Sequence, residues 1–467
     1  MRILLYLLNL LYIIIQAKEI NNSSESLKYM QLNFKRNLTY PKELTPLSFF
    51  KTYFYNQLYV NIKVGSNKQE IPFYFYLQQF PLTIKSSNVI KGEVKGIFNE
   101  SLSDSYKSFN KDTFSQGDLS EGVLSKDQFF FNDNIQPFID FYLDKQSSAS
   151  SHITEGGKIG FKIHPEYKES DKVSFISNLK ESNLISSKIF SIKYDSKKIE
   201  EDEGTLIIGA FPHMINEAQY KEEYYEKSNA IQGFSGIDWL FKFNDINYNN
   251  YTYENEIEGY FYSEIGFIIG TEKFFNYLKG LDLWKKYFNE KKCHEQKFRI
   301  DDFEGNDINQ RFLFEYTGYY CDKDVDVEKI NIGEILFFVK RDNFNISFSD
   351  KDMWMEKDGY KYFMILQTQN YEHLWFFGKP FFKKYQMIFD CDNKIIGYYS
   401  KTFEDPAKNE EKSNSFIGYI IAIIILGIII IVLIYFLIKC YFLLPRKNRA
   451  NELTDDNYDY SGGNINE

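Results

Sequence analysis

Few side chains in this sequence have the types and spacing that a metal site or an activated nucleophile requires. The histidines show no paired spacing of the kind that zinc ligands need. The sequence has no Gly-x-Ser-x-Gly motif, no phosphate-cradling glycine-rich loop and no Cys-x-x-Cys pair. We therefore expect no metal and no cofactor. The histidines are His152, His164, His213, His294 and His373.

Charge and composition narrow the class of protein further. With 55 Lys and Arg against 65 Asp and Glu, the net charge is −10, so no basic excess is available to neutralise phosphates. Nucleic acid is therefore excluded as a partner. Hydrophobic residues make up 43% and aromatic residues 18% of the 467 residues, which argues against disorder and is enough for more than one core.

Both ends of the chain carry apolar segments that predict a membrane topology. Residues 1–17 read as a secretory signal peptide, because Arg2 gives the positive start and Ala17 is a small residue at the cleavage position. Residues 416–438 are an uncharged run. At about 1.5 Å per residue this run spans roughly 34 Å, which is enough to cross a hydrocarbon core of about 30 Å.

The flanking charges orient this predicted transmembrane helix. Basic residues from Lys439 onward follow it and acidic residues precede it, so residues 439–467 are predicted to be a cytoplasmic tail. The charged residues 401–415 are predicted to be a stalk. We therefore expect a single-pass type I membrane protein, with an ectodomain that is extracellular or in the lumen of the secretory or endolysosomal system.

Glycosylation sequons and cysteines agree with a lumenal ectodomain. Three of the four cysteines precede the predicted span, and disulfides persist in that compartment. Cys440 follows the span and could be palmitoylated or be an inert thiol. The sequons are candidate glycosylation sites. They begin at Asn21, Asn22, Asn37, Asn99, Asn250 and Asn345.

Between the predicted signal peptide and the stalk, the sequence is mostly strand-like. Residues 58–64 and 334–339 are examples of short runs rich in β-branched and aromatic residues. Residues 272–286 give the clearest helical spacing. The Ser-rich residues 101–125 are predicted to form loops and hairpin connections. The pattern predicts a large, mostly β ectodomain.

Four segments, in order along the chain, resemble pepsin-like aspartic peptidases. Residues 59–66 followed by 71–75 are similar to the strand that leads into the first Asp-Thr-Gly motif of that family. Residues 175–191 and 204–209 resemble the segments that close the first lobe and begin the next. Residues 376–398 resemble the terminal block Ile-Leu-Gly-Asp-x-Phe-Leu-Arg-x-Tyr.

The resemblance implies two β-rich lobes related by a pseudo-two-fold axis, with a peptide-binding cleft between them. It implies a first lobe over residues 53–194 and a second lobe over residues 195–400. It also implies a disulfide between Cys293 and Cys321, which leaves Cys391 free or paired with another chain. Residues 18–52 would then be an N-terminal extension or the remnant of a pro-segment.

In active relatives, each lobe supplies one Asp-Thr-Gly loop, and the two carboxylates share a proton and activate water. Here the matching positions hold Tyr76-Leu77-Gln78 and Tyr262-Ser263-Glu264. A phenol with a reference pKa of about 10 cannot serve as the base where an Asp of about 4 is needed. We therefore expect no intact catalytic residue.

Two further elements of the resemblance bear on activity. The nearest carboxylates, Glu70 and Glu264, are several residues from the expected positions, so a displaced dyad would need an unusual geometry. The flap hairpin of the family, with its tyrosine, is expected near Phe114 and Ser115, so that position also lacks its usual side chain.

Three functions remain open on this sequence. The first is a membrane-anchored pseudo-peptidase that binds a peptide or protein in the interlobe cleft or on its outer surface. The second is an active aspartic endopeptidase in an acidic lumen or at the cell surface. The third is a structural surface glycoprotein that uses the fold as a spacer.

Overall fold

The computed structural model describes residues 27–36, 44–78, 81–87, 96–116, 119–132, 134–145, 156–162, 173–195, 202–230, 232–233, 236–237, 239–248, 251–300, 315–369, 371–403, 430 and 433–437. The predicted signal peptide, cytoplasmic tail and most of the stalk lie outside these residues, as do Asn21, Asn22, Asn37 and Asn250. Contacts divide the chain into a large unit that ends at Thr402 and a second unit that begins at Phe403.

The predicted membrane span lies mostly outside the described residues. Only residue 430 and residues 433–437 of the span 416–438 are described, and they are helical. Among the described residues, no helix is both long enough and apolar enough to span a membrane. The transmembrane helix therefore stays a prediction.

The described residues up to Ile237 form strands β1 (Met30–Arg36), β2 (Leu58–Val64), β3 (Gln69–Tyr76), β4 (Thr83–Lys85), β5 (Lys107–Gln116), β6 (Leu119–Phe130), β7 (Phe138–Asp144), β8 (Gly157–Gly160), β9 (Ile189–Tyr194), β10 (Gly204–Ile208), β11 (Tyr225–Asn229), β12 (Gln232–Gly233) and β13 (Gly236–Ile237). The later strands are β14 (Leu240–Tyr248), β15 (Tyr251–Phe261), β16 (Ile268–Gly270), β17 (Cys293–Arg299), β18 (Glu315–Asp322), β19 (Ile335–Val339), β20 (Phe344–Phe348), β21 (Trp354–Lys357), β22 (Tyr360–Phe363), β23 (Ile365–Thr368), β24 (Leu374–Phe377), β25 (Met387–Asp390) and β26 (Ile395–Tyr399). The α-helices are α1 (Pro46–Phe54), α2 (Phe175–Glu181), α3 (Pro212–Ile215), α4 (Glu272–Gly280), α5 (Asp282–Asn289), α6 (Asp350–Met353) and α7 (Lys379–Lys384).

Two large sheets carry the fold. One has the strand order β11-β26-β25-β9-β10-β1-β2-β3-β8-β4-β7-β6-β5, and the other runs β20-β19-β14-β15-β24-β16-β23-β18-β22-β21 with β17 beside β18. We call β2–β8 the first lobe and β14–β24 the second lobe. The mostly β class predicted from the sequence is confirmed.

The same strand arrangement occurs once in each lobe. In the first lobe, β8 pairs with β3 in parallel and with β4 antiparallel, and β4 pairs with β7 in parallel. In the second lobe, β24 pairs with β15 in parallel and with β16 antiparallel, and β16 pairs with β23 in parallel. The pseudo-two-fold axis that the resemblance implies requires such a repetition. The ends of β3 and β15 are equivalent positions in it.

Strand β1 lies inside the larger sheet, although residues 18–52 were predicted to be an N-terminal extension. It pairs with β10 over Met30–Phe34 and with β2 at Lys35 and Arg36. Alternate residues of β1 are buried, as a period of two predicts for a strand with one face on a core. Part of the predicted extension is therefore a structural strand of the sheet.

Two sequence predictions about the second lobe can be compared with the structure. The disulfide between Cys293 and Cys321 is confirmed; it joins opposed residues of β17 and β18, while Cys391 is a buried free thiol. The single helix predicted over residues 272–286 is wrong in its extent. The chain forms α4 and then α5, because α4 ends at Gly280 and Leu281 takes an extended conformation.

Candidate functional site

Tyr76 and Tyr262 occupy equivalent places at the ends of β3 and β15. Tyr76 is the last residue of β3, opposite Gly160 of β8, and its carbonyl accepts a hydrogen bond from the Phe161 N–H at 2.9 Å. Tyr262 directly follows β15, and its N–H donates to the carbonyl of Phe377 at 3.0 Å. Both side chains are buried. The two loops that the sequence aligned with the catalytic motifs therefore share one position in the repeated arrangement.

Side chains from each loop bond to the backbone of the other lobe. The Ser263 hydroxyl donates to the carbonyl of Phe75 at 3.4 Å. In the reverse direction, the Gln78 amide Nε2 donates to the carbonyl of Phe261 at 3.1 Å and to that of Trp239 at 2.8 Å. Phe75 and Phe261 are the residues just before the two tyrosines, so the contacts are reciprocal. The loop tips therefore meet at the junction of the lobes.

The position of these loops agrees with the result of the family comparison. The family model described as eukaryotic aspartyl protease matches residues 57–400, which cover both lobes. The chain belongs to the eukaryotic aspartyl protease family. No match was found among curated proteins.

The two carboxylates that the sequence places nearest to these loops are Glu70 and Glu264. Glu264 is largely enclosed, and this burial raises the pKa of its carboxyl to about 8, while the Ser263 hydroxyl lies 3.4 Å from its Oε2. Glu70 is exposed and accepts a hydrogen bond from the Asn61 amide at 2.9 Å. Glu70 precedes Tyr76 by six residues of β3, or roughly 20 Å of strand, so the two glutamates do not face each other.

Residues 53–56 cover the loop that contains Tyr262 and Ser263. Nothing in the sequence indicated this contact. Asn56 is fully buried, and its amide donates to the carbonyl of Ser263 at 2.7 Å and to the Tyr194 hydroxyl at 2.9 Å. Its backbone N–H donates to the carbonyl of Glu264, and Gly266 donates to the carbonyl of Phe54. A Cβ at Gly266 would lie 1.7 Å from the carbonyl oxygen of Tyr53, so only glycine allows this approach.

A buried ion cluster fastens the same segment. Lys379 contacts the Asp202 carboxylate, which also accepts a hydrogen bond from Arg36 at 3.2 Å. Arg36 donates to the carbonyl of Tyr55 at 2.6 Å, and Arg36 and Lys379 both lie over the Tyr53 ring. Burial lowers the pKa of Lys379 to about 7, and the nearby Arg36 charge is the second cause of this shift. These residues are too far apart in sequence for spacing to have revealed the cluster.

A hairpin lies at the position where the flap is predicted. Strands β5 and β6 are antiparallel, and Phe114 is opposite Gly122. Ser115 lies beside it in β5. The assignment of Phe114 and Ser115 to the flap remains a prediction, as does the loss of the usual tyrosine there.

The remaining candidate residues lie away from the loops. Asn99 caps a short 3₁₀ helix and accepts a hydrogen bond from the Ser101 N–H at 3.1 Å, and Asn345 is exposed on β20. Their glycosylation stays a prediction. Within the described ranges, no group of three or more His, Cys, Asp or Glu residues is arranged to hold a metal ion.

Proposed function

We propose that this chain is a catalytically inactive member of the aspartyl protease family, and that its ectodomain binds a peptide or protein. The observation that carries the proposal is the pair of tyrosines, Tyr76 and Tyr262, at the equivalent ends of β3 and β15. Peptide hydrolysis in this family needs two carboxylates that share one proton and activate a water between them. Two phenols have no group that is ionised at acidic pH, so neither can take a proton from water.

The residues beside the tyrosines support the same proposal. Gln78 stands where the family motif has glycine, and its side chain is committed to two carbonyls of the opposite lobe. Glu264 stands at the other glycine position, and its raised pKa of about 8 keeps its carboxyl protonated at acidic pH. A single protonated carboxyl can donate a hydrogen bond but cannot act as the base of a dyad.

We further propose that the protein is anchored as a single-pass type I membrane protein. The apolar segments at residues 1–17 and 416–438, with the basic residues that follow the second, support this topology. The disulfide between Cys293 and Cys321 fits an oxidising compartment. The ectodomain would then lie outside the cell or in the lumen of the secretory or endolysosomal system.

The proposal is tested by cleavage and binding assays on the secreted ectodomain. A fluorogenic peptide library is incubated with it between about pH 3 and pH 7, with and without an active-site aspartic peptidase inhibitor. We expect no inhibitor-sensitive cleavage at any pH, together with retention of a subset of peptides in a pull-down. Inhibitor-sensitive cleavage would establish the alternative, an active endopeptidase. Absence of both activities would leave a structural spacer.

A further inference from the structure

Two buried cations, one on β1 and one on α7, share a single carboxylate. Arg36 is 8% exposed and Lys379 has no exposed surface. The Arg36 Nη1 group donates to Asp202 Oδ2 at 3.2 Å, and the Lys379 ammonium contacts the other oxygen of the same carboxylate. Charges that leave water need neutralising partners close by. Together these three residues, which we call the ion cluster, carry one unit of positive charge when both cations are protonated.

The groups around the ion cluster add positive charge to it. Lys383 lies one turn after Lys379 in α7, is 5% exposed, and holds its ammonium 4.5 Å from the centroid of the Tyr194 ring. Burial is the largest cause that lowers the pKa of Lys379 to about 7, and the charges of Arg36 and Lys383 lower it further. Burial also raises the pKa of the Tyr194 phenol, which therefore stays neutral. Its ring attracts a cation but supplies no negative charge.

One donor of the ion cluster has no acceptor. The Arg36 Nη2 group donates to backbone carbonyls of α1 and of the residue after it, the closest being that of Tyr55 at 2.6 Å. The Nε–H of the same guanidinium is buried and has no hydrogen-bond partner among the described residues. A buried charged donor without a partner loses its hydration and gains nothing in exchange. This unpaired donor marks a place where a negatively charged acceptor is missing.

The neighbouring lysine of α7 shows a balanced arrangement. Lys384 pairs with the Asp352 carboxylate at 2.8 Å, and that carboxylate also accepts a hydrogen bond from the Ser349 hydroxyl at 2.8 Å. One cation meets one carboxylate here, and both side chains are 24% exposed, so water also reaches the pair. The ion cluster has more positive charge and less contact with water. The same helix therefore offers one lysine that an added anion would stabilise and one that it would not.

We propose that the ion cluster is a binding site for one small monovalent anion, chloride, held by the Arg36 Nε–H and the Lys379 ammonium. A monovalent anion cancels the single positive charge that these two cations and Asp202 carry together. The enclosure favours a compact, spherical ion, because the cations have almost none of the exposed surface that phosphate or sulfate would require. The bound ion connects β1 with α7. This inference goes beyond the peptide-binding role proposed above and does not depend on it.

The proposal is tested by urea unfolding of the disulfide-intact ectodomain at about pH 6, with chloride raised from about 20 to about 200 mM and gluconate keeping the ionic strength constant. An anion that binds only the folded state raises the folding equilibrium constant in proportion to its concentration once the site is filled. We expect an increase of about threefold to tenfold for the wild type and of less than about 1.5-fold for Lys379→Met. Lys384→Met is the matched control and should respond as the wild type does.

A wild-type response below about twofold would overturn the proposal, as would a response that Lys379→Met retains in full. If Lys379→Met does not fold, the wild type gives a direct readout. Crystals soaked in bromide should show an anomalous-scattering peak in contact with Arg36 and Lys379, and the absence of this peak would also contradict the proposal. Neither measurement involves peptides or cleavage, so its failure is distinct from a failure of the proposed function.

Discussion

Replacing Glu264 by glutamine should stabilise the protein at neutral pH and leave its stability in acid unchanged. Burial raises the pKa of this carboxyl from 4.5 to about 8 in the folded state. Between these two values the native state keeps a proton that the unfolded chain releases, so stability falls as the pH rises through this window. Glutamine is close in shape to the protonated acid and does not titrate. The substitution therefore removes this loss.

The size of the effect follows from the width of the window. Between pH 4.5 and pH 7, titration of Glu264 lowers the free energy of unfolding of the wild type by at most about 1.4 kcal/mol for each of about 2.5 pH units. The stabilisation by Glu264→Gln at pH 7 therefore has an upper limit of about 3 kcal/mol. At pH 4 both states are protonated, and the variant should lie within about 0.5 kcal/mol of the wild type. The folded-state pKa of Lys379 is about 7, so titration of that group contributes little below pH 6.

Urea unfolding of the disulfide-intact ectodomain at about pH 4, 5.5 and 7 measures this difference. Glu70→Gln is the matched control, because Glu70 is an exposed carboxylate that accepts a hydrogen bond from the surface amide of Asn61. The free energy of unfolding of the control should change with pH as that of the wild type does. If the free energy of unfolding of Glu264→Gln also changes with pH in this way, or if the variant is less stable than the wild type at pH 7, the carboxyl is not enclosed as described.

Three other predictions follow from the loops, the ion cluster and the disulfide. Tyr76→Asp combined with Tyr262→Asp should not restore cleavage in the fluorogenic assay, because the loop glycines remain replaced; inhibitor-sensitive turnover would contradict this. Asp202→Asn should cost about 3–5 kcal/mol in urea unfolding, since it leaves buried cations without their carboxylate; a loss below about 1 kcal/mol would mean that the cluster is hydrated. Cys293→Ser with Cys321→Ser should cost about 3–4 kcal/mol, the loop entropy for a separation of 28 residues, and an unchanged urea midpoint would show that the bridge does not form.

The strands that carry the site were predictable because their residue patterns are local. The run predicted at residues 334–339 is β19, Ile335–Val339, with buried residues at alternate positions. The order of the motifs located both tyrosine loops, since each follows a recognisable strand. What the sequence could not give is the reciprocal bonding of Gln78 and Ser263, because each partner lies more than 150 residues away and is a backbone carbonyl.

Two errors of interpretation have physical causes. The Ser-rich residues 101–125 were expected to form loops, but most of them lie in β5 and β6, where pairing with neighbouring strands overrides local propensity. Residues 44–54 carried a helix signal, a capping threonine before paired aromatic residues. The prediction of an extension over residues 18–52 rests on the resemblance alone, and the resemblance predicts no helix there.

The glycines at close backbone contacts differ in kind from the residues at the two loop tips. Glycine is present where backbones approach closely: a Cβ at Gly378 would lie 2.2 Å from the carbonyl oxygen of Phe267, and the approach at Gly266 is closer still. At the loop positions that would hold carboxylates and water, the residues are instead bulky and engaged in packing. Tyr262 has no exposed surface, and the Gln78 amide bonds across the junction. The described contacts therefore join the two loops to each other across the lobes, and the proposed loss of catalysis rests on the two tyrosines at the ends of β3 and β15.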